Sequence, residues 1–351
     1  MKIRLGLLAL VTGAALFAGR GYADDAAPAG PYKLLKTVKV GGDGKWDYVT
    51  VDAAERKLYI PRTTRVDVFD LETLSPAGTI ADTAGVHGVG IAPEFSHGFT
   101  TDGGDGTLTM FDTKTLKVIK KITLGGGPDG ISYNAAEKRM YVTSHKAPNL
   151  TVVNAEDGSI VGTADLGGSP EGSISDGNGK VYVNLENTSE VVVVDSKTMK
   201  VTTRWKLAPG EGPTGIGLDP ETHRLFANCG GNGKMVILNI DDGSVVDTET
   251  IGKGTDAGVF NPATKEMFAP GADSTLTIVK ENSATSFTAE PVLKTLAGAA
   301  TCALDPKTGN IYEMTAEYGP PATRPAGAPA PRGGGRGPMI AGSFQILVMG
   351  K

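Results

Sequence analysis

The chain is short of the residues from which most catalytic and cofactor centres are built. It has two cysteines, Cys229 and Cys302, and four histidines in 351 residues. No Cys-x-x-Cys-His run marks haem attachment. Neither a Gly-x-Ser-x-Gly elbow nor a His-Glu-x-x-His helix marks a hydrolase. Basic residues are outnumbered, 34 Lys and Arg against 39 Asp and Glu. That balance lacks the basic stripe that nucleic-acid binding needs, and two tryptophans offer little for base stacking. Long apolar runs are missing too. The one at residues 5–18 falls short of the ~18 or more that a spanning helix requires. Beyond it no stretch repeats with the helical period.

That run fits a secretory leader. Lys2 and Arg4 precede it, and Gly21-Tyr22-Ala23 offers small residues at the cleavage positions. Residues 1–23 are expected to be a signal peptide cleaved near Ala23. No cysteine at the junction supports lipid attachment. The mature protein would be soluble, periplasmic or extracellular, and would carry net charge −8 after losing Lys2, Arg4 and Arg20 from −5.

Glycine, in contrast, is abundant: 49 residues, about twice the usual ~7%. It recurs in bends such as "GGGPDGISYNAAEKRMYVTS", starting at Gly125. A phosphate-binding loop would open a helix with Lys-Ser/Thr; here two strand-like runs follow instead. Related segments start at Lys45, Val86, Gly168, Glu211, Lys253 and Ala299. The residue before each short apolar run is Asp47, His87, Asp129, Glu171, Thr214, Asp256 or Thr301, at spacings of 40, 42, 42, 43, 42 and 45. Tyr59, Phe99, Tyr141, Tyr182, Phe226, Phe268 and Tyr312 mark a second column with a similar period. Cys229 and Cys302 fall two repeats apart, too far to bridge, so both are expected to be free, buried thiols.

Each repeat holds four strand-like pieces, joined by turns such as "NAEDGS" and "NIDDGS" in which Asp-Gly supplies positive φ. Four antiparallel strands per ~42 residues make a propeller blade. The fold class is therefore all-β, a seven-bladed β-propeller over residues 32–349. The last repeat lacks a fourth strand, and the segment 32–40, "YKLLKTVKV", is free to complete it. Between the second and third strands of that blade, residues 319–338 are almost all Pro, Gly, Ala and Arg. They are expected to be a disordered insertion.

The tetrapeptide "YVTS" at Tyr141, the Gly-Gly-x-Pro-x-Gly bends and the period resemble the bacterial YVTN-type, YncE-like β-propeller family. The resemblance covers about residues 32–349 without the insertion. It implies the fold, and a membership of exported binding proteins, surface-layer proteins and proteins without an assigned role. Some relatives suggest single-stranded DNA binding, which the acidic charge here opposes. WD-repeat proteins share the period, but Trp46-Asp47 precedes a first strand instead of ending a third.

In an up-and-down blade, the loop entering the first strand and the loop between the second and third strands open on one face. That rim gathers Asp47, His87, Asp129, Glu171 and Asp256 from the first loops. The second loops bring Arg62, Asp102 and His145, among others. His97 and His223 belong on the opposite face. All of the named rim residues except Asp102 are candidate ligand-binding residues. Asp47, His87, Asp129, Glu171 and Asp256 are candidate metal ligands, and hard oxygens suit Ca²⁺ or Mg²⁺. The expected function is binding or scaffolding of a small ligand or a protein by a monomer, without catalysis. The alternative is a divalent-metal-dependent, lactonase-like hydrolase on the same rim, with His87 or His145 as base.

Overall fold

A computed structural model of the chain describes residues 31–320 and 337–351. The expected leader, residues 1–23, and most of the insertion at 319–338 lie outside the described residues. The insertion's ends are tied down: the Gly319 amide donates to the Pro338 carbonyl at 2.9 Å, and Tyr318 bridges Met339.

Seven antiparallel sheets follow one another around a ring. Blade three shows the pattern, with strands Pro128–Asn134, Arg139–Ser144, Asn149–Asn154 and Ile160–Asp165 running from the axis outward. The middle strands are nearly wholly buried and the outermost is mostly exposed, because neighbouring blades cover only the inner part of each sheet. Asp-Gly turns behave as their sequence requires, with Gly158 at φ 67° and Gly243 at φ 76°. In the glycine-free turn after Asp195, Met199 takes that conformation at φ 54°. Blade six departs from the plan. Its outer strand is split into Ser286–Ala289 and Leu293–Lys294, both paired with Thr275–Ser283. Pro291 lies in the gap and has no amide to donate to a ladder.

The ring closes through its two ends. Lys33–Lys39 pairs antiparallel with Gln345–Gly350, from Lys33 opposite Gly350 to Lys39 opposite Gln345. The last blade is thus built from the first strand and the final three. Tyr32 fastens it to blade six: its hydroxyl donates to Glu266 at 3.0 Å and its ring meets Phe268 edge-on.

The repeated aromatic column is buried throughout, and each member packs across to the next blade. Tyr59 joins Val86, Val89 and Phe111; Phe99 joins Met140 and Val142; Tyr141 joins Val181 and Val183. Tyr182, Phe226 and Phe268 continue the series, and Tyr312 returns it to Leu58 and Ile60 of blade one. Cys229 and Cys302 are free and buried.

A belt of hydrogen bonds runs inside this apolar ring. The Thr301 hydroxyl donates to the Asp47 carbonyl at 3.0 Å, and the Tyr48 amide to the His87 carbonyl at 3.1 Å. The Thr101 hydroxyl donates to the Asp129 carbonyl, and the Thr143 hydroxyl to that of Glu171 at 2.9 Å. The Asn184 amide donates to the Thr214 carbonyl at 3.1 Å and the Thr214 hydroxyl to that of Thr255 at 2.8 Å. The Asp256 amide reaches the Ala300 carbonyl at 3.0 Å and completes the circle.

Two outcomes are expected. Phe226→Ala, at a site with no solvent exposure between the rings of Phe260 and Phe287, lowers unfolding free energy by about 3–5 kcal/mol in chemical denaturation. Deletion of residues 32–40 uncovers the edge of the last sheet and lowers the melting temperature by many degrees. A deletion protein that melts like the full chain contradicts closure by this strand.

Candidate functional site

The belt fixes the bends that enter the blades, and through them one mouth of the channel. Asp47, His87, Asp129, His145, Glu171 and Asp256 line a single cavity of about 290 Å³ there. His87 Nδ1 lies 2.7 Å from Asp47 Oδ2 and 3.5 Å from Asp129 Oδ1. His145 Nδ1 lies 3.2 Å from Glu171 Oε1 and 3.8 Å from Asp129 Oδ2. Gly103 makes room for His87: a Cβ there would sit 2.8 Å from the imidazole and 2.9 Å from the Pro128 carbonyl. Lys146 also lines the cavity, with its ammonium on the Gly103 carbonyl at 3.4 Å.

Crowding and burial govern the charges. Burial raises the Asp129 carboxyl to about 7, with Asp47 and Glu171 adding to the rise. Burial likewise raises Asp47, and raises Asp256 well above its ordinary value, with the neighbouring carboxylates reinforcing it. The hydrogen bond to Asp47 lifts His87 to about 9. The Glu171 carboxylate raises His145. Two adjoining triads, Asp47–His87–Asp129 and Asp129–His145–Glu171, bring their ligand atoms within 4.8 Å of one another, the closeness a metal ion requires. Asp129 belongs to both.

The rim column divides. Thr214 and Thr301 use their hydroxyls in the belt. Arg62 requires a correction. Its side chain is buried, lies over the Phe344 ring at 3.7 Å, and donates to the carbonyls of Asp43 and Gly44. It therefore holds the segment that follows the closing strand and does not line the mouth. Asp102 is also off the rim, buried among the hydroxyls of Thr100, Thr107 and Thr109. At the other face His97 Nδ1 donates to the Ala155 carbonyl at 3.1 Å and His223 Nδ1 to Asp241 Oδ1 at 2.8 Å.

Tyr48 was not among the candidates. Its hydroxyl donates to Glu171 Oε2 at 3.0 Å, from blade one to blade four across the channel. It lines both the mouth cavity and a second one of about 170 Å³ beneath it. The sequence does carry a signal. The residue after the rim position is Gly88, Gly130, Gly172, Gly215, Ala257 or Cys302 in the other six repeats. A Cβ at Gly130 would lie 2.9 Å from the Glu171 carbonyl, and one at Gly172 2.6 Å from that of Thr214. A tyrosine in a column kept small by such contacts has to point into the channel.

No protein-family model matches the chain. Two curated proteins, both called uncharacterized protein YncE, from Salmonella typhimurium and Salmonella typhi, are 26% identical to it over 162 residues. That match spans 44% of this chain and 46% of the relatives, so about half of their length. Over that stretch the chain, a seven-bladed β-propeller, is similar to YncE. Solved structures agree on the fold. A chain of the mitotic checkpoint complex superposes with TM-score 0.72 at 12% identity, covering 99% of each chain. U3-55K gives TM-score 0.72 at 10% identity, covering 92% of this chain and 99% of that one. At such identities these likenesses concern architecture alone.

The shifted groups fix how apo-protein stability depends on pH. Asp129 is raised from 3.8 to about 7 and His87 from 6.5 to about 9. Between each pair of values the folded state binds more protons than the unfolded one, so stability falls as pH rises. Both windows run in the same direction. Chelator-treated protein is therefore expected to melt higher at pH 5.5 than at pH 9. Asp129→Asn removes about 1–3 kcal/mol of that slope, one pKa unit being about 1.4 kcal/mol. The His87 share is smaller, since its side chain is 38% exposed and screened. Melting curves across this range that are flat or rise with pH contradict the assignment.

Proposed function

We propose that the chain is a binding protein that takes a cation, or the cationic group of a ligand, into its acidic mouth. One observation supports this above all. Asp47, Asp129, Glu171 and Asp256 share a cavity with His87, His145 and a single lysine. Like charges in a half-buried pocket repel one another unless protonated or paired, and low-dielectric walls focus their field on the axis. A bound cation relieves both costs. Mouth residues sit on bends held by the belt, so the groups are positioned before a ligand arrives. The reading includes export, on the strength of Lys2, Arg4 and the apolar run that follows, and action as a monomer.

The test is calorimetric titration of chelator-treated protein with Ca²⁺, Mg²⁺, Mn²⁺, Zn²⁺ and spermidine. At least one is expected to bind saturably. Asp129→Asn combined with Glu171→Gln should weaken that binding at least tenfold and shift the melting temperature by only a few degrees. No binding by any probe, or a double variant that unfolds, contradicts the reading. Lactone turnover that chelation abolishes and the bound ion restores would move the protein to the hydrolase class.

A further inference from the structure

We propose that the mouth is a two-ion transition-metal centre bridged by Asp129. Its Oδ1 joins Asp47 and His87 around one ion, and its Oδ2 joins His145 and Glu171 around the other. This rests on the cation-binding reading of the same mouth and names the ligand class.

Four observations carry it. The two oxygens of Asp129 face different imidazoles, at 3.5 Å from His87 and 3.8 Å from His145. Ligands held about 2.1 Å from one ion lie roughly 3.0–3.4 Å apart for octahedral to tetrahedral angles. With His145–Glu171 at 3.2 Å, the second triad is open to nearly that spacing; the first needs Asp47 to move by under about 1 Å from its hydrogen bond to His87.

The second observation is His145 Nδ1 itself. It is shielded from solvent and lies 3.2 Å from Glu171 Oε1 and 3.8 Å from Asp129 Oδ2 without hydrogen-bond geometry to either. An ion between them would take the place of the ring proton, so metal and proton compete for this nitrogen. Third, the outer contacts already orient the ligands. Tyr48 holds Glu171 Oε2 at 3.0 Å, which leaves Oε1 toward His145, while Thr101 and Thr143 hold the backbone carbonyls of Asp129 and Glu171. Such second contacts fix ligand orientation in metal sites. Fourth, charge and donor type agree. The four carboxylates of the cavity match two divalent ions. One imidazole per ion favours Zn²⁺, Co²⁺ or Mn²⁺ over the all-oxygen sets of Ca²⁺ and Mg²⁺.

The test uses the full chain, freed of metal and then loaded with Zn²⁺, Co²⁺ or Mn²⁺. Two ions per chain are expected, one for each triad. His145→Ala should retain one ion. Asp129→Asn should weaken both by at least the ~10–100-fold that loss of an outer partner alone costs. Melting curves of the metal-free variants, within a few degrees of the parent, show that the loss is not unfolding. Paramagnetic resonance of the Mn²⁺-loaded parent needs no substitution: the spectrum of an exchange-coupled pair is expected. A single bound ion, the six-line signal of isolated Mn²⁺ at saturation, or binding confined to Ca²⁺, Mg²⁺ or spermidine overturns the two-ion centre and leaves the cation-binding mouth standing. Absence of binding by every probe overturns both.

Discussion

Everything at the mouth depends on the belt of hydrogen bonds that passes from each blade to the next around the channel. Each link satisfies an inner-bend backbone group that could otherwise meet only channel water, and a buried carbonyl left without a partner is costly. The same links set the positions of the rim side chains. Thr101 and Thr143 hold the carbonyls of Asp129 and Glu171; Thr301 holds that of Asp47. The carboxylates are thereby held together at distances they would not choose. Apolar packing across the blades sustains this arrangement, with one aromatic from the second strand of each blade inserted against the next sheet.

The structure separates these two duties by radius. Stability resides in the middle strands, where Tyr59, Phe226 and their equivalents are shielded from water. Charge resides at the axis, on bends that contribute little to packing. This division explains why substitutions at the mouth are expected to alter binding and proton uptake with modest effects on folding, while those in the aromatic column do the reverse. Arg62 shows the boundary between the two. It comes from a loop on the mouth face, but stacking on Phe344 and bonding to the carbonyls of Asp43 and Gly44 place it with the scaffold.

Much of the architecture was legible in the sequence because it repeats. Two columns of a ~42-residue period, the turn residues and the missing strand of the last repeat point to a closed ring of seven sheets, and the pairing of Lys33–Lys39 with Gln345–Gly350 matches that expectation. The rim column brought Asp47, His87, Asp129, Glu171 and Asp256 to one mouth, and the loop after the second strand added His145. Individual side-chain directions were less legible. Loop membership alone put Arg62 and Asp102 on the rim, yet Arg62 turns to Phe344 and the carbonyls of Asp43 and Gly44, and Asp102 to the threonine hydroxyls of its own sheet. Tyr48 shares no chemical type with the charged rim column; its signal is a break in size along a column of small residues. The split outer strand of blade six follows from Pro291, whose effect depends on which neighbour needs its amide.

Tyr48 also decides how traffic passes. A phenol anchored on the opposite wall by Glu171 divides the bore into an outer cup and an inner chamber. His87 and His145, each more than a third exposed, stand at the lip with Lys146, so an entering or leaving ligand meets their charges first. The rate of escape from the cup is therefore expected to follow the charge at the lip.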